Sequence, residues 1–375
     1  MLQQTKEWPM SFMNAVTWDG PDQLKQTSVR VPTPVAGEVL LRTTRVGICG
    51  SDVTILKGHH ARAQPGIVLG HEFSGIVESA PGGEFAPASR VAVLPLISCR
   101  DRNEASPCVA CRSGNEHVCA RLGLYGVDEP GALASHVLVR ARNVHAVPED
   151  TPEGLEGLAE PLAVAVHAVS RSGLKGGESV AIFGGGPIGL FTALVARHKG
   201  AGRVLIVEPN PWRQSVAKSY GFDVAQSGSD PVEQVVEYTG GDGADIVFDS
   251  AGHPAVAAAV TGAARIGGTI MVVGVYKEPP AVDLRTVNFA ELNVIGTRVY
   301  AEEDFAEAIS LLAGDVLNVA ALPTQTFPLG ESAEAFAAAA RGENAMKVFI
   351  IPTDSTGLVA EKDFQEQNQE ELNNA

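Results

Sequence analysis

The sequence is short of basic residues, of cysteines and of long apolar runs, and each shortage removes a class of protein. Lysine and arginine total 28 against 44 aspartates and glutamates, a formal net charge of −16. That balance argues against a nucleic-acid or anionic-membrane partner, since both attract positive surface. Five cysteines is an odd number and a poor basis for a secreted disulfide framework. The first dozen residues, MLQQTKEWPMSF, hold no apolar core segment of the kind a signal peptide needs. A cytoplasmic location is therefore expected. One uncharged stretch of 18 residues, Ser179 to Ala196, is long enough to raise a membrane span. Its middle reads GGGPIG and no basic clusters flank it, so a buried strand, a tight turn and a helix fit better. No internal repeat is present.

What is there is globular. Hydrophobic residues make up 45 % and charged residues 19 % of 375, which excludes wholesale disorder and suggests two or three domains. Up to about Gly176, short β-type runs such as Glu38–Arg45, Phe73–Glu78 and Arg90–Leu94 are separated by Gly, Pro and Asp. From there the texture changes. Apolar strands at Ser179–Phe183, Arg203–Val207, Asp245–Phe248, Thr269–Val273 and Asn293–Ile295 alternate with helical stretches, the pattern of an α/β doubly wound parallel sheet. After Tyr300 come helices around Phe305–Leu312 and Ala333–Ala340 and a last strand at Met346–Ile351. The final 23 residues, Thr353–Ala375, carry six acids and one lysine and read as a solvated, flexible acidic tail. Nearly a third of the net charge sits there.

Glycine is over-used, with 40 residues, and one cluster has a chemical reading. Gly184, Gly186 and Gly189 form G-x-G-x-x-G directly after a strand and before a helix. The first allows a tight turn, the second lets a pyrophosphate approach the backbone, and the third lets helix and strand pack closely. The helix N-terminus adds free N–H donors. Glu208 ends the next strand, 24 residues after Gly184, where an acid accepts both hydroxyls of an adenosine ribose and repels a 2′-phosphate. NAD is therefore preferred over NADP. Arg213 can cover the adenine, assist a 2′-phosphate or simply be solvated.

The cysteines divide by spacing. Cys108, Cys111 and Cys119 follow C-x2-C-x7-C, and Cys99 lies eight intervening residues earlier. Four thiolates in one turn-rich segment suit a closed structural zinc, with four ordinary reduced thiols as the plain alternative. A zinc ribbon for nucleic acid would need basic or aromatic clusters that the segment lacks. His117 lies inside the segment and is expected at the surface. The fifth cysteine, Cys49, stands in GICGSD, and Gly70-His71-Glu72 follows 21 residues later. A Cys, a His and a carboxylate with an open fourth position would make a catalytic zinc, although spacing alone is a weak signal.

Taken together, GICGSD, GHEFSG, the four-cysteine segment, Glu160-Pro161-Leu162 and the GGGPIG turn resemble the zinc-dependent medium-chain alcohol dehydrogenases, in order and spacing from about Met13 to Pro352. The resemblance implies a GroES-like β-barrel catalytic domain at 13–160 behind a short extension at 1–12, a Rossmann NAD-binding domain at 161–300, and a return to the catalytic domain at 301–352. It implies a catalytic zinc on Cys49, His71 and a carboxylate, Glu72 or Glu160, and a structural zinc on Cys99, Cys108, Cys111 and Cys119. It also implies cofactor contacts from Ile188, from Val273, Gly274 and Val275, and from Thr297, Arg298 and Val299, with Ser51 taking the substrate proton. Glu160, in AEPLA, is similar to the polyol, threonine and butanediol dehydrogenase branch. One thiolate and two carboxylates on a doubly charged ion would leave a net negative centre, so Glu72 and Glu160 are not expected to bind tightly at once.

Two features depart from the family pattern. Arg100–Pro107 reads as an inserted loop between the first two structural cysteines, and Thr54 stands where the proton relay often has a histidine, leaving water, a carboxylate or the loop residues His59 and His60. The activity expected is hydride transfer between a secondary hydroxyl of a polyol, sugar alcohol or small diol and NAD, in a homodimer or homotetramer. Sugar-alcohol-phosphate and threonine oxidation are the alternatives within the branch. A zinc-free quinone or enone reductase, or a non-catalytic NAD-binding protein, is the alternative of another class.

Overall fold

In the computed structural model the described residues are 11–352 and 358–360. The strand Glu38–Gly47 lies inside a seven-stranded sheet because its apolar residues serve two faces; Val39, Leu41 and Val46 are fully buried. It pairs antiparallel with Glu72–Ser79, His136–Arg140 and, near its end, Lys347–Ile351. Lys347–Ile351 in turn runs parallel to Thr324–Pro328. A second sheet pairs Ser11–Gly20 with Gln23–Arg30 and Ile67–Val68. Ala15 and Val16 from that sheet share one apolar core with Leu41, Phe73 and Val77.

The stretch from Ser179 builds a six-stranded sheet in which every pairing is parallel. The spatial order is Asp223–Val224, Arg203–Val207, Ser179–Phe183, Ala244–Asp249, Ala264–Val272, Asn293–Gly296. Chain order reverses between Ser179–Phe183 and Ala244–Asp249, and ligands of such sheets bind at that switch point, beyond the carboxyl ends of the strands. Val/Ile-rich strands suit burial on both faces. Their helices start on defined caps: Asn210 and Asp230 accept N–H groups of the first turn, each followed by a proline at the first helical position. The uncharged stretch therefore splits into the strand Ser179–Phe183 and the helix Pro187–His198. Among the described residues no helix is long and apolar enough to cross a membrane.

Two expectations need correction. Leu358–Ala360 forms a strand antiparallel to Ser11–Met13, so part of the segment read as a solvated tail joins a sheet, as does the end of the segment read as an N-terminal extension. The rest of Thr353–Ala375 lies outside the described residues. His117 is buried rather than at the surface. Its ring packs edge-on against His167, at 4.9 Å between centroids, and His167 Nδ1 is 2.7 Å from Asp304 Oδ2.

Candidate active site

Strand register assembles the first cluster. Gly47 lies opposite Glu72, so the residues just past one strand end, Cys49, meet those at the start of the next, His71 and Glu72. Ligand atoms of these three lie within 4.8 Å of one another. Cys49 caps the helix Gly50–Leu56, whose third residue, Asp52, is buried. Its Oδ2 accepts the Cys49 N–H at 2.9 Å and its Oδ1 faces His71 Nδ1 at 3.3 Å. Nε2 of His71 is thereby turned inward, 3.3 Å from the Ser51 hydroxyl. A carboxylate behind a histidine is how metal-ligating imidazoles are oriented. Burial works against a charge on His71, but Asp52 and Cys49 outweigh it and raise its pKa well above the usual value.

Glu160 stands beside this set, not within it. It opens the buried helix Ala159–Arg171 and accepts the Tyr300 hydroxyl at 2.9 Å. Burial, and then the Glu72 charge, push its pKa up to about 7. Tyr300 is fully buried, and the residue before it, Val299, has φ of +46°, rare for a β-branched side chain. That turn sends Tyr300 inward. Glu72 is in contact with the Lys347 ammonium, which also donates to the Ile48 carbonyl at 3.0 Å. Of the relay candidates, Thr54 donates its hydroxyl to the Gly50 carbonyl at 2.9 Å, and His60 Nδ1 accepts two backbone N–H groups, which fixes its proton on Nε2. His59 is exposed.

The second cluster gathers Cys99, Cys108, Cys111 and Cys119, again within 4.8 Å and all free thiols. Backbone N–H groups of Cys111 and Ala120 draw the Cys108 pKa down to about 6, whereas burial drives Cys111 up to about 12. Four sulfurs without disulfides, partly poised as thiolates, fit a tetrahedral zinc. The inserted loop does not break the set. Glu104 pairs with Arg121, and Arg121 Nη2 donates to Cys99 Sγ at 3.3 Å. Arg102 ties the loop base to the Ile97 and Arg121 carbonyls at 3.2 and 2.8 Å.

A cavity of about 740 Å³ opens at the switch point, lined by Gly184, Gly186, Ile188, Gly189, Glu208 and Arg213. Two of the glycines are required by the backbone: Gly184 has φ of +105°, and a Cβ on Gly189 would strike the Gly184 carbonyl. Gly186 caps the helix, and only Arg213 Nη1, at 3.7 Å, lies near the place of a Cβ. Glu208 accepts the N–H groups of Gly185 and Asn210 at 2.7 and 2.8 Å, which locks its carboxylate at the rim. Arg213 Nη1 lies 4.0 Å from it. Val273–Val275 and Thr297–Val299 lie outside this lining, at the carboxyl ends of the last two strands, where Gly274 packs on Gly252.

Asp52, Tyr300 and Lys347 did not emerge from the sequence. Only Asp52 left a signal there: it follows Cys49 by three residues, the spacing of a helix cap and its third helical residue.

Family models match the chain at residues 35–149 (alcohol dehydrogenase GroES-like domain) and 187–314 (zinc-binding dehydrogenase). The chain is 36 % identical to the 2-dehydro-3-deoxy-L-galactonate 5-dehydrogenase of Pseudoalteromonas atlantica, over 84 % of this chain and 92 % of that one. It is 33 % identical to the L-threonine 3-dehydrogenase of Bacillus subtilis, over 89 % and 96 %. A solved zinc-binding dehydrogenase from Sinorhizobium meliloti, bound to NADP, superposes with a TM-score of 0.83 at 29 % identity, over 91 % of this chain and all of that one.

Proposed function

The chain belongs to the zinc-dependent medium-chain alcohol dehydrogenases, with a GroES-like domain and a Rossmann sheet, and from that membership we propose that it moves hydride between a secondary hydroxyl of a polyol, sugar alcohol or small diol and NAD. The convergence of Cys49, His71 and Glu72 carries the reading. These residues would hold the catalytic zinc, with Glu160 in reserve, and the four-cysteine set would hold a structural one. When bound, zinc supplies Lewis acidity to a hydroxyl and the nicotinamide accepts hydride. Asp52 keeps the His71 ring in the ligating tautomer. Ser51, beside His71 Nε2, is the first acceptor for the hydroxyl proton. Thr54 does not titrate near neutral pH, so the onward path runs through water or a carboxylate.

At the other site the glycine turn leaves the helix N-terminus open to a pyrophosphate, and the locked Glu208 favours a ribose over its 2′-phosphate. Ile188, Arg213, Val273–Val275 and Thr297–Val299 would complete the contacts.

The test is nicotinamide absorbance across polyols, their phosphates, small diols, sugar acids and threonine, with NAD and NADP in parallel. Turnover of threonine alone would move the assignment within the branch. Full activity after removal of zinc would overturn the metal chemistry, and no turnover on any alcohol would overturn the enzyme reading.

Two further parts of the proposal concern setting. Ile266, Leu284, Phe289 and Val294 are exposed at 78, 72, 78 and 48 % on and around the sheet's edge strand, Asn293–Gly296, which supports pairing of two copies along that edge. Five free thiols, four of them clustered, suit the reducing cytoplasm.

A further inference from the structure

The candidate ligands carry more negative charge than one zinc ion neutralises. A thiolate and two carboxylates would leave the centre at a net −1, and a negative centre draws electrons from a hydroxyl less well than a neutral one. The fold supplies a cation at that point. Lys347 is 5 % exposed, and lysine is almost never buried unpaired. Its ammonium touches the Glu72 carboxylate and is fixed from the other side by the Ile48 carbonyl.

The backbone makes room for this contact. Gly47 lies between the two strands concerned, opposite Glu72 on one side and Phe349 on the other. A Cβ there would come within 2.8 Å of Lys347 Cε and 3.3 Å of Glu72 Cβ. Glycine at this position leaves the lane open for a side chain that starts 275 residues later in the chain than Glu72. Among the described residues Glu160 makes no direct ion pair; it is tied to the neutral Tyr300 hydroxyl.

We propose that Lys347 is a positioning residue for the dehydrogenase reaction, bringing the centre formed by Cys49, Glu72, Glu160 and zinc to electrical neutrality while holding Glu72. The proposal rests on the reading of Cys49, His71 and Glu72 as catalytic zinc ligands. It makes the charge count, rather than either side chain alone, the controlling quantity.

Four holoenzyme variants test it: K347M, K347R, E72Q and the double variant K347M/E72Q, each checked for zinc content. K347M leaves the centre negative. Its kcat falls roughly 10- to 100-fold, the usual effect of losing an outer partner of a metal ligand, with little change in KM for NAD. The rising limb of its pH–rate profile moves to higher pH. K347R restores most of the loss. E72Q makes the centre positive and moves the limb to lower pH, and the double variant, neutral again, returns it to the wild-type position. Melting temperature gives a readout free of turnover: the double change lowers it by less than the two single losses added together. A limb that ignores the charge count would overturn the proposal, as would additive losses in melting temperature. Should the wild type fail to reduce NAD with every alcohol tested, the dehydrogenase reading fails by itself, and the melting cycle still decides whether Lys347 and Glu72 act as a pair.

Discussion

Replacing Asp52 by Asn changes one atom and should strip one metal site while sparing the other. The carboxylate makes two contacts: Oδ2 accepts the Cys49 N–H at 2.9 Å, and Oδ1 faces His71 Nδ1 at 3.3 Å. Asparagine can keep the first, because its oxygen still caps the Cys49 N–H, so the helix start survives. Its NH2 group then faces His71 Nδ1. The ring responds by placing its proton on Nε2, the nitrogen that a metal needs free. Binding zinc must undo that arrangement and forgo the charge-assisted contact with a carboxylate, a loss of about 1.5–3 kcal/mol. At about 1.4 kcal/mol per tenfold, the catalytic site weakens roughly 10- to 150-fold. Chelator competition with zinc counted per chain would read this directly: one ion leaves at lower chelator concentration while the four-cysteine ion stays. Unchanged retention of both ions would refute the tautomer argument. Simultaneous loss of both would point to a collapsed fold instead.

Substituting Glu208 by Ala removes the acceptor of the Gly185 and Asn210 N–H groups as well as the ribose contact; KM for NAD should rise about tenfold and the preference over NADP should narrow, as read from kcat/KM for the two cofactors. An unchanged ratio would rule out Glu208 as the discriminator. Glu160 titrates in the fold near pH 7, above its ordinary value of 4.5, so its protonated form favours the metal-free fold. That stabilisation is present in full below about pH 4.5 and is lost as pH rises to about 7. Melting curves of metal-free protein should therefore show wild type losing ground to E160Q across that window, and parallel curves would contradict the assignment. Phe289→Glu, at a 78 % exposed edge position, should shift the mass measured by light scattering toward the single chain. A wild type that is already a single chain would dispose of edge pairing.

Much of the site was legible because its chemistry is local in sequence. The glycine turn, its terminal acid and the clustered cysteines each depend on residues a few positions apart, and periodicity gave the strands around them. Lys347 and Tyr300 were not legible, because what makes them matter is a partner 275 and 140 residues away. A buried lysine at the head of the strand KVFII looks, in sequence, like an ordinary solvated strand end. His117 was misjudged for the same reason: its cover is His167 and the helix around it, which the cysteine segment does not foretell. The loop Arg100–Pro107 departs from the family spacing, yet its charges fold back on their own neighbours.

The placement of Lys347–Ile351 between Glu38–Gly47 and Thr324–Pro328 has a consequence for the order of events during synthesis. The parallel sheet is contiguous in the chain and can close as soon as its last strand leaves the ribosome. The sheet that carries Cys49 and Glu72 cannot, because one of its inner strands is among the last segments made. Until then the end of that strand's edge at Val46 and Gly47 is open and Glu72 lacks its counterion. A chain truncated before Met346 should therefore keep the nucleotide-binding half and lose the metal centre, and in the cell the interval before that strand arrives is when the newborn protein most needs a chaperone.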